Sequence, residues 1–431
     1  MTGTQIPKEN GMTAAFTALA LATALVWSAS VTAAHAASPY EAEPVLEASK
    51  LAPSELLSGP QFRVEQRVPV KDFLERFTLR SNFGNFDVHG LHMLYVRVLE
   101  VDAIGQLDQM SKTGEFAEAA ARAVARPLTS AANMVMNPVE TVAGLPGGVM
   151  RLFNRIEQGG QAVVAAATAS DATDAQRVES VTKRVGGITA TALGYEKERR
   201  DLARGLGVDP YTTNPVLAKK LDDMAWVAFS GRMGIQAAMS VLVPYSMAMS
   251  AVTITNSTVY DTPAGDLVNN ARAIFGGTGA TDAQVTALMK NPQYSLSLLT
   301  DLAMGVQRLQ GVNGLDSLVQ FGAIARTQDE TRFVAAAANM LARHHERVGR
   351  LATVTAPGPI LARTVSGTLV VPAPIDYVAW TERIARFADR ADLRTPRRLA
   401  WLSGQFSPRA RKEFEARGWT VFESFTVAAE R

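Results

Sequence analysis

Residues Asp72 to Val101 read DFLERFTLRSNFGNFDVHGLHMLYVRVLEV, and they decide the fold. In Asp72 to Ser81, Phe73, Glu75, Phe77 and Leu79 point one way and Leu74, Arg76, Thr78 and Arg80 the other, which is the alternation of a half-buried strand. Glu75 is the misfit, a carboxylate on the otherwise apolar side. Asn82-Phe83-Gly84-Asn85 supplies residues that tolerate positive φ, so a hairpin into Phe86-Asp87-Val88 follows. A helix then begins near Leu91, because Leu91, Leu94, Tyr95, Val98 and Val101 recur at helical spacing and form one apolar stripe.

On the N-terminal side, residues 37–59 are rich in Glu, Pro and Ser and read as a polar tether. Ahead of them, Lys8 precedes an apolar run from Ala14 to Val31, and Ala34-His35-Ala36 supplies an A-x-A cleavage site. That order predicts a secretory signal over residues 1–36, cut after Ala36. The competing reading is an uncleaved anchor helix, for which the run is barely long enough. The chain has no cysteine, which removes disulfides, thiolate metal sites and cysteine nucleophiles together. Apolar residues make up 47% of the chain and charged residues 19%, with a formal net charge of +2. A charge so close to balance predicts no nucleic-acid partner.

On the C-terminal side, residues 60–156 continue the ββα unit with a helix from Gly114, followed by short pieces broken at Pro127, Pro138 and Pro146. Residues 157–204 form an Ala-, Gly- and Thr-rich connector. A helical domain over residues 205–349 follows. Asn214-Pro215 caps its first helix, whose stripe is Leu217, Leu221, Met224, Ala225 and Ala228. Thr281 with Gln284 and Thr327 with Glu330 spell two capping boxes. The helix after Thr327 carries Phe333, Ala337, Met340, Leu341, His344 and Val348 on one face. Gly276-Gly277-Thr278-Gly279 lacks the lysine and the spacing of a phosphate cradle. In residues 350–431, β-branched stretches flank Pro357-Gly358-Pro359, and Gly367 turns the second into a hairpin. Thr395-Pro396 and Ser407-Pro408 read as helix starts with Gly404 and Gly418 as stops, and Trp419 begins a last strand. The predicted class is α+β, predominantly helical: a helical body with a small antiparallel sheet built from N- and C-terminal strands.

Chemistry is sparsely signalled. His89 and His92 (H-G-L-H) with His344 and His345 (H-H) are the candidate metal ligands, since imidazole is the commonest zinc donor. Against this, His344 lies on an apolar stripe and His345 is rotated about 100° from it, while His89 and His92 sit at a turn where polar residues cap. No nucleophile motif occurs, and no cofactor is predicted. Asp222, Asp223 and Glu382 stand beside basic residues and read as solvated ion pairs. Residues 375–418 hold ten Arg or Lys against six Asp or Glu. This makes Arg394, Arg397, Arg398, Trp401, Arg409 and Arg411 a candidate binding surface, set against a solvated face over core tryptophans.

Two stretches, residues 127–156 and 233–260, are low in charge and are candidates for peripheral membrane contact. Polar groups and Pro244 within the second favour a buried, broken helix instead. The sequence therefore predicts an exported, periplasmic or envelope-associated protein that binds an unidentified envelope partner or ligand. The alternatives are a membrane-perturbing protein and a metal-dependent envelope hydrolase.

Overall fold

The structure is a computed structural model that describes residues 38–114, 116–118, 120, 190–231, 257–356 and 358–423. The expected signal, the membrane candidates over 127–156 and most of 233–260, and the first part of the connector lie outside the described residues. Before Ala42, Tyr40 is exposed and its amide donates to Ser38 Oγ. The chain from Ala42 onward forms one compact unit of mixed α and β structure.

The N-terminal sheet contains β1 (Val45–Glu47), β2 (Ser58–Gly59), β3 (Phe62–Val64), β4 (Arg67–Lys71), β5 (Leu74–Ser81) and β6 (Gly84–His89). All its pairings are antiparallel. Thus the expected tether is part of the fold: α1 (Ala48–Leu51) and α2 (Ser54–Leu57) separate β1 from β2, and they bury Ala48, Leu56 and Leu57. These side chains join the core beneath the N-terminal sheet, which fixes an otherwise polar segment.

β5 behaves as its alternation predicts at its far end, with Phe77 and Leu79 fully buried and Arg80 exposed. Its start differs. Asp72 and Phe73 form the two-residue turn between β4 and β5, both at positive φ (53° and 71°). That is the twist two-residue hairpins favour, yet Phe is a poor residue for it. The ring compensates by entering the core of the C-terminal half, where Phe73 is 4% exposed.

α3 (Leu91–Met110) starts where the stripe predicts, but it buries two faces rather than one. Leu94, Val98 and Val101 pack on the N-terminal sheet. Leu99, Ala103, Ile104, Leu107 and Met110 pack against α4 (Ala190–Leu206) and α5 (Pro215–Gly231). The expected connector is therefore helical from Ala190. Asn214 caps α5 as expected, its Oδ1 accepting from the amides of Val216 and Leu217.

The remaining helices are α6 (Ser257–Asp261), α7 (Ala264–Gly276), α8 (Asp282–Met289), α9 (Leu296–Gln307), α10 (Asp316–Ala323) and α11 (Gln328–Arg347). Thr281 and Gln284 form the complete capping box before α8. Before α11 the box is half formed: Thr327 accepts from the Glu330 amide, but Glu330 reaches one residue further back, to the Arg326 amide. Val348, expected on the buried face of α11, lies past its end and is 67% exposed.

The C-terminal sheet runs β13 (Thr420–Phe422), β11 (Arg398–Leu402), β9 (Leu369–Ala373), β8 (Leu361–Thr364), β7 (Leu351–Thr355). The hairpin at Gly367 (φ 86°) is present. β9, β11 and β13 are mutually parallel, so helices must carry the chain back. These are α12 (Glu382–Ala388), capped by Thr381, and α13 (Pro408–Ala416), capped by Ser407. β10 (Tyr377–Val378) and β12 (Gln405–Phe406) form a short parallel pair beside them. Thr395-Pro396 leads into β11 and starts no helix, and Gly404 sits in the turn after β11. The expected sheet shared by the two ends is not formed: β1 to β6 pair only among themselves, and the C-terminal strands make a mixed five-stranded sheet edged by β7 and β13, beside the β10–β12 pair.

Phe73→Ala keeps the turn and removes a ring from a formed core. It should cost about 3 kcal/mol, read as a lower urea midpoint with an unchanged slope.

Candidate functional site

The hairpin tip that delivers Phe73 also delivers a cluster of charged side chains to the C-terminal half. The Phe73 carbonyl accepts two backbone N–H groups, from Asp376 and Tyr377, each at 3.1 Å. Asp376 follows β9 and returns the contact with its side chain. Its Oδ2 accepts the Glu75 amide at 3.0 Å, and its carboxylate also accepts the Leu91 amide, at the first turn of α3. α3 has only Gly90 at its N-cap, with no side-chain cap of its own. Asp376, far away in the chain, supplies the missing acceptor.

Two glycines make room for it. Gly90 is at φ +90°, and a Cβ there would sit 3.1 Å from Asp376 Oδ2. A Cβ on Gly404 would overlap the Asp376 carbonyl at 1.8 Å, and that carbonyl accepts the Gln405 amide.

Glu75, the misfit of the alternation, is the second buried acid of this joint, 4% exposed. Burial, with Asp376 beside it, pushes its carboxyl up to about 8. Burial likewise pushes Asp376 up to about 6, against the backbone amides of Glu75 and Leu91, which favour its charged form. At neutral pH the pair therefore keeps a proton, since two carboxylates cannot ionise together at little cost in a desolvated place.

His89, at the end of β6, has both ring nitrogens committed. Nδ1 lies 2.6 Å from Asp329 Oδ2, and Nε2 lies 3.2 Å from Asp87 Oδ2. Burial of the ring favours the neutral form, but the bonds to Asp329 and Asp87 outweigh it and raise its pKa. Asp329 is held below its ordinary value despite burial, because His89 donates to it and Arg332 and Arg76 add positive charge. Arg76 Nη1 and Arg332 Nη1 each stand 3.5 Å from Asp329. Asp329 is the second residue of α11, where its charge also suits the helix N-terminus.

The four histidines do not converge. His92 is exposed on α3. His344 and His345 lie at the far end of α11, about 22 Å along its axis from Asp329 at 1.5 Å per residue. His344 Nδ1 donates to the Gly349 carbonyl and the ring meets Trp401 edge-on at 5.4 Å. His345 Nδ1 accepts the Leu351 amide, and its Nε2 is 2.8 Å from Arg350. Among the described residues no group of three or more His, Asp or Glu is placed to hold a metal ion.

The candidate arginines all have partners within the fold. Trp401 is 4% exposed and belongs to the core. Arg394 donates to the Asp389 carbonyl, Arg397 to the Ser366 carbonyl and Arg398 to the Arg417 carbonyl, Arg398 also lying over Trp419. Arg411 pairs with Glu423 and Glu415. Arg409 has partners as well. Lys219 and Asp223 form the exposed pair expected on α5. Asp222 is instead half-buried, accepting from Tyr195 at 2.6 Å and facing Arg199 at 2.9 Å.

A different basic feature appears on the N-terminal sheet. Arg63 on β3 stands directly opposite Arg80 on β5. Both line a shallow depression of about 320 Å³ together with Gly59, Gln61, Ser81 and Asn82. Glu65 pairs with Arg80, whereas Arg63 is exposed and has no ion-pair partner among the described residues. Like charges directly opposite on a sheet repel. Only pairing across strands brings them together, so no linear motif announces them.

No protein-family model, curated protein or solved structure matches this chain. Among the described residues no helix is long and apolar enough to cross a membrane.

Asp329→Asn should lower the His89 pKa, because the stronger of its two carboxylate partners becomes neutral. A histidine-resolved NMR titration checks it: an unmoved His89 midpoint would show that the short contact does not exist in solution.

Proposed function

We propose that this chain is an exported, envelope-associated protein that acts by binding, and that its binding face is the depression between Arg63 and Arg80. The opposed arginine pair carries this reading. Two guanidinium groups held side by side on paired strands, one of them without a carboxylate, favour an occupant that brings negative charge. Gln61, Ser81 and Asn82 around them supply neutral hydrogen-bonding groups. The occupant that fits is an acidic segment of a partner protein, which would offer carboxylates at strand-like spacing.

Support for binding over catalysis comes from how the reactive groups are used. His89, His344 and His345 hold backbone and carboxylate partners within the fold, and Glu75 and Asp376 join two parts of the chain. Both ring nitrogens of His89 and of His345 are already bonded within the fold, so a metal or substrate there would have to displace a partner. Export is supported by the order of Lys8, the apolar run and Ala34-His35-Ala36.

Two measurements test the proposal. Material from the native host should begin at Ala37, and Met1 at its N-terminus would refute cleavage. Hexaglutamate should bind at low salt, at least fivefold more weakly to Arg63→Ala, and more weakly as salt rises. No binding at millimolar hexaglutamate, or equal affinity in Arg63→Ala, would remove the binding face.

A further inference from the structure

We propose that the contact between the hairpin tip, Phe73 to Arg76, and the segment after β9 is an acid-held joint that loosens the N-terminal ββα unit from the C-terminal half when the surroundings turn alkaline. The geometry supplies both ends of such a device. On one side are the β4–β5 turn, β6 and the start of α3. On the other are Asp376 and the first turn of α11. The backbone bonds to the Phe73 carbonyl align the parts, but the polar side chains between them change charge with pH.

The charged groups at the joint come from every element packed on it. β5 contributes Glu75 and Arg76, and β6 contributes Asp87 and His89. α3 contributes His92, Arg97 and Glu100. α11 contributes Asp329 and Arg332, and the segment after β9 contributes Asp376. Lys71 and Asp72 flank the tip, with Glu43 and Arg383 close by. Arg97 is bonded to Glu100, which also accepts from Thr212 and Asn214, so these two serve α3 and its helical neighbours.

The direction follows from which state holds more protons. Glu75 and Asp376 titrate higher in the folded chain than in an unfolded one, so each binds a proton on folding. Their contribution is present in acid and is lost as pH rises, between about 4 and 6 for Asp376 and between about 4.5 and 8 for Glu75. His89 is also raised, so its bonds to Asp87 and Asp329 are at full strength below its ordinary value and fade as pH rises through the raised one. Asp87 and Asp329 are lowered, so they oppose the trend only in strong acid. His92, lowered by desolvation and by Arg332, opposes it up to the ordinary imidazole range, and the two acids must outweigh it. Above pH 8 the joint would hold two like-charged carboxylates side by side.

Amide hydrogen exchange on the full chain, divided by the intrinsic rate at each pH, tests this directly. Between pH 5.5 and 8.5, protection over residues 74–94 should fall at least tenfold more than protection over residues 333–342 inside α11. Glu75→Gln should flatten that difference, because a neutral side chain leaves Asp376 without a like charge. Asp376→Asn should reduce it by the same logic. Equal loss of protection in both segments of the wild-type protein would overturn the proposal, as would a folded Glu75→Gln that keeps the full pH dependence. The wild-type profile alone can refute the joint if a variant fails to fold.

Discussion

One carboxylate, that of Asp376, satisfies backbone donors from two elements that cannot satisfy themselves. α3 begins at a glycine and has no cap of its own. The amide of Glu75 is bonded by the same group. An unpaired amide in a buried place costs free energy comparable to a lost hydrogen bond. The N-terminal ββα unit is therefore incomplete until β9 delivers Asp376. The two glycines around it follow from this crowding, since a side chain at either position would contact or overlap Asp376. So does the strained turn: Phe73 must be at positive φ for its carbonyl to meet the amides of Asp376 and Tyr377 while its ring enters the core.

Around this joint two charge arrangements lie on neighbouring strands and behave oppositely. Asp87, His89 and Asp329 alternate in sign, so proximity strengthens each charged form and offsets the cost of burial. Glu75 and Asp376 share a sign, so burial and proximity act together against ionisation. Arg76 and Arg332 stand against Asp329, and the charges of Arg76 and Asp329 also reach Asp376, which couples the two arrangements.

The C-terminal half has the parallel βαβ pattern in which ligands commonly bind at the carboxyl ends of strands. In this chain those ends are closed by the chain itself. The Phe73 carbonyl meets the segment after β9, Gln405 after β11 bonds the Asp376 carbonyl, and Glu423 after β13 accepts the Phe406 amide. That closure turns attention to the opposite end of the N-terminal sheet, where Arg63 and Arg80 face outward.

Local patterns alone determined the β5–β6 hairpin, the start of α3, the cap of α5, the box before α8 and the cap of α13. Each depends on residues within a few positions of one another, and alternation or capping records that directly. Glu75 was visible as a misfit, but its meaning required Asp376, some three hundred residues later. The two faces of α3, the structured segment before Gly59, the separation of the two sheets and the opposition of Arg63 to Arg80 belong to the tertiary structure. So do the scattered histidines, whose spacing suggested a cluster that the length of α11 forbids. Burial, desolvation and strand register are properties of packed surfaces, and a linear pattern carries no record of which surface will meet which.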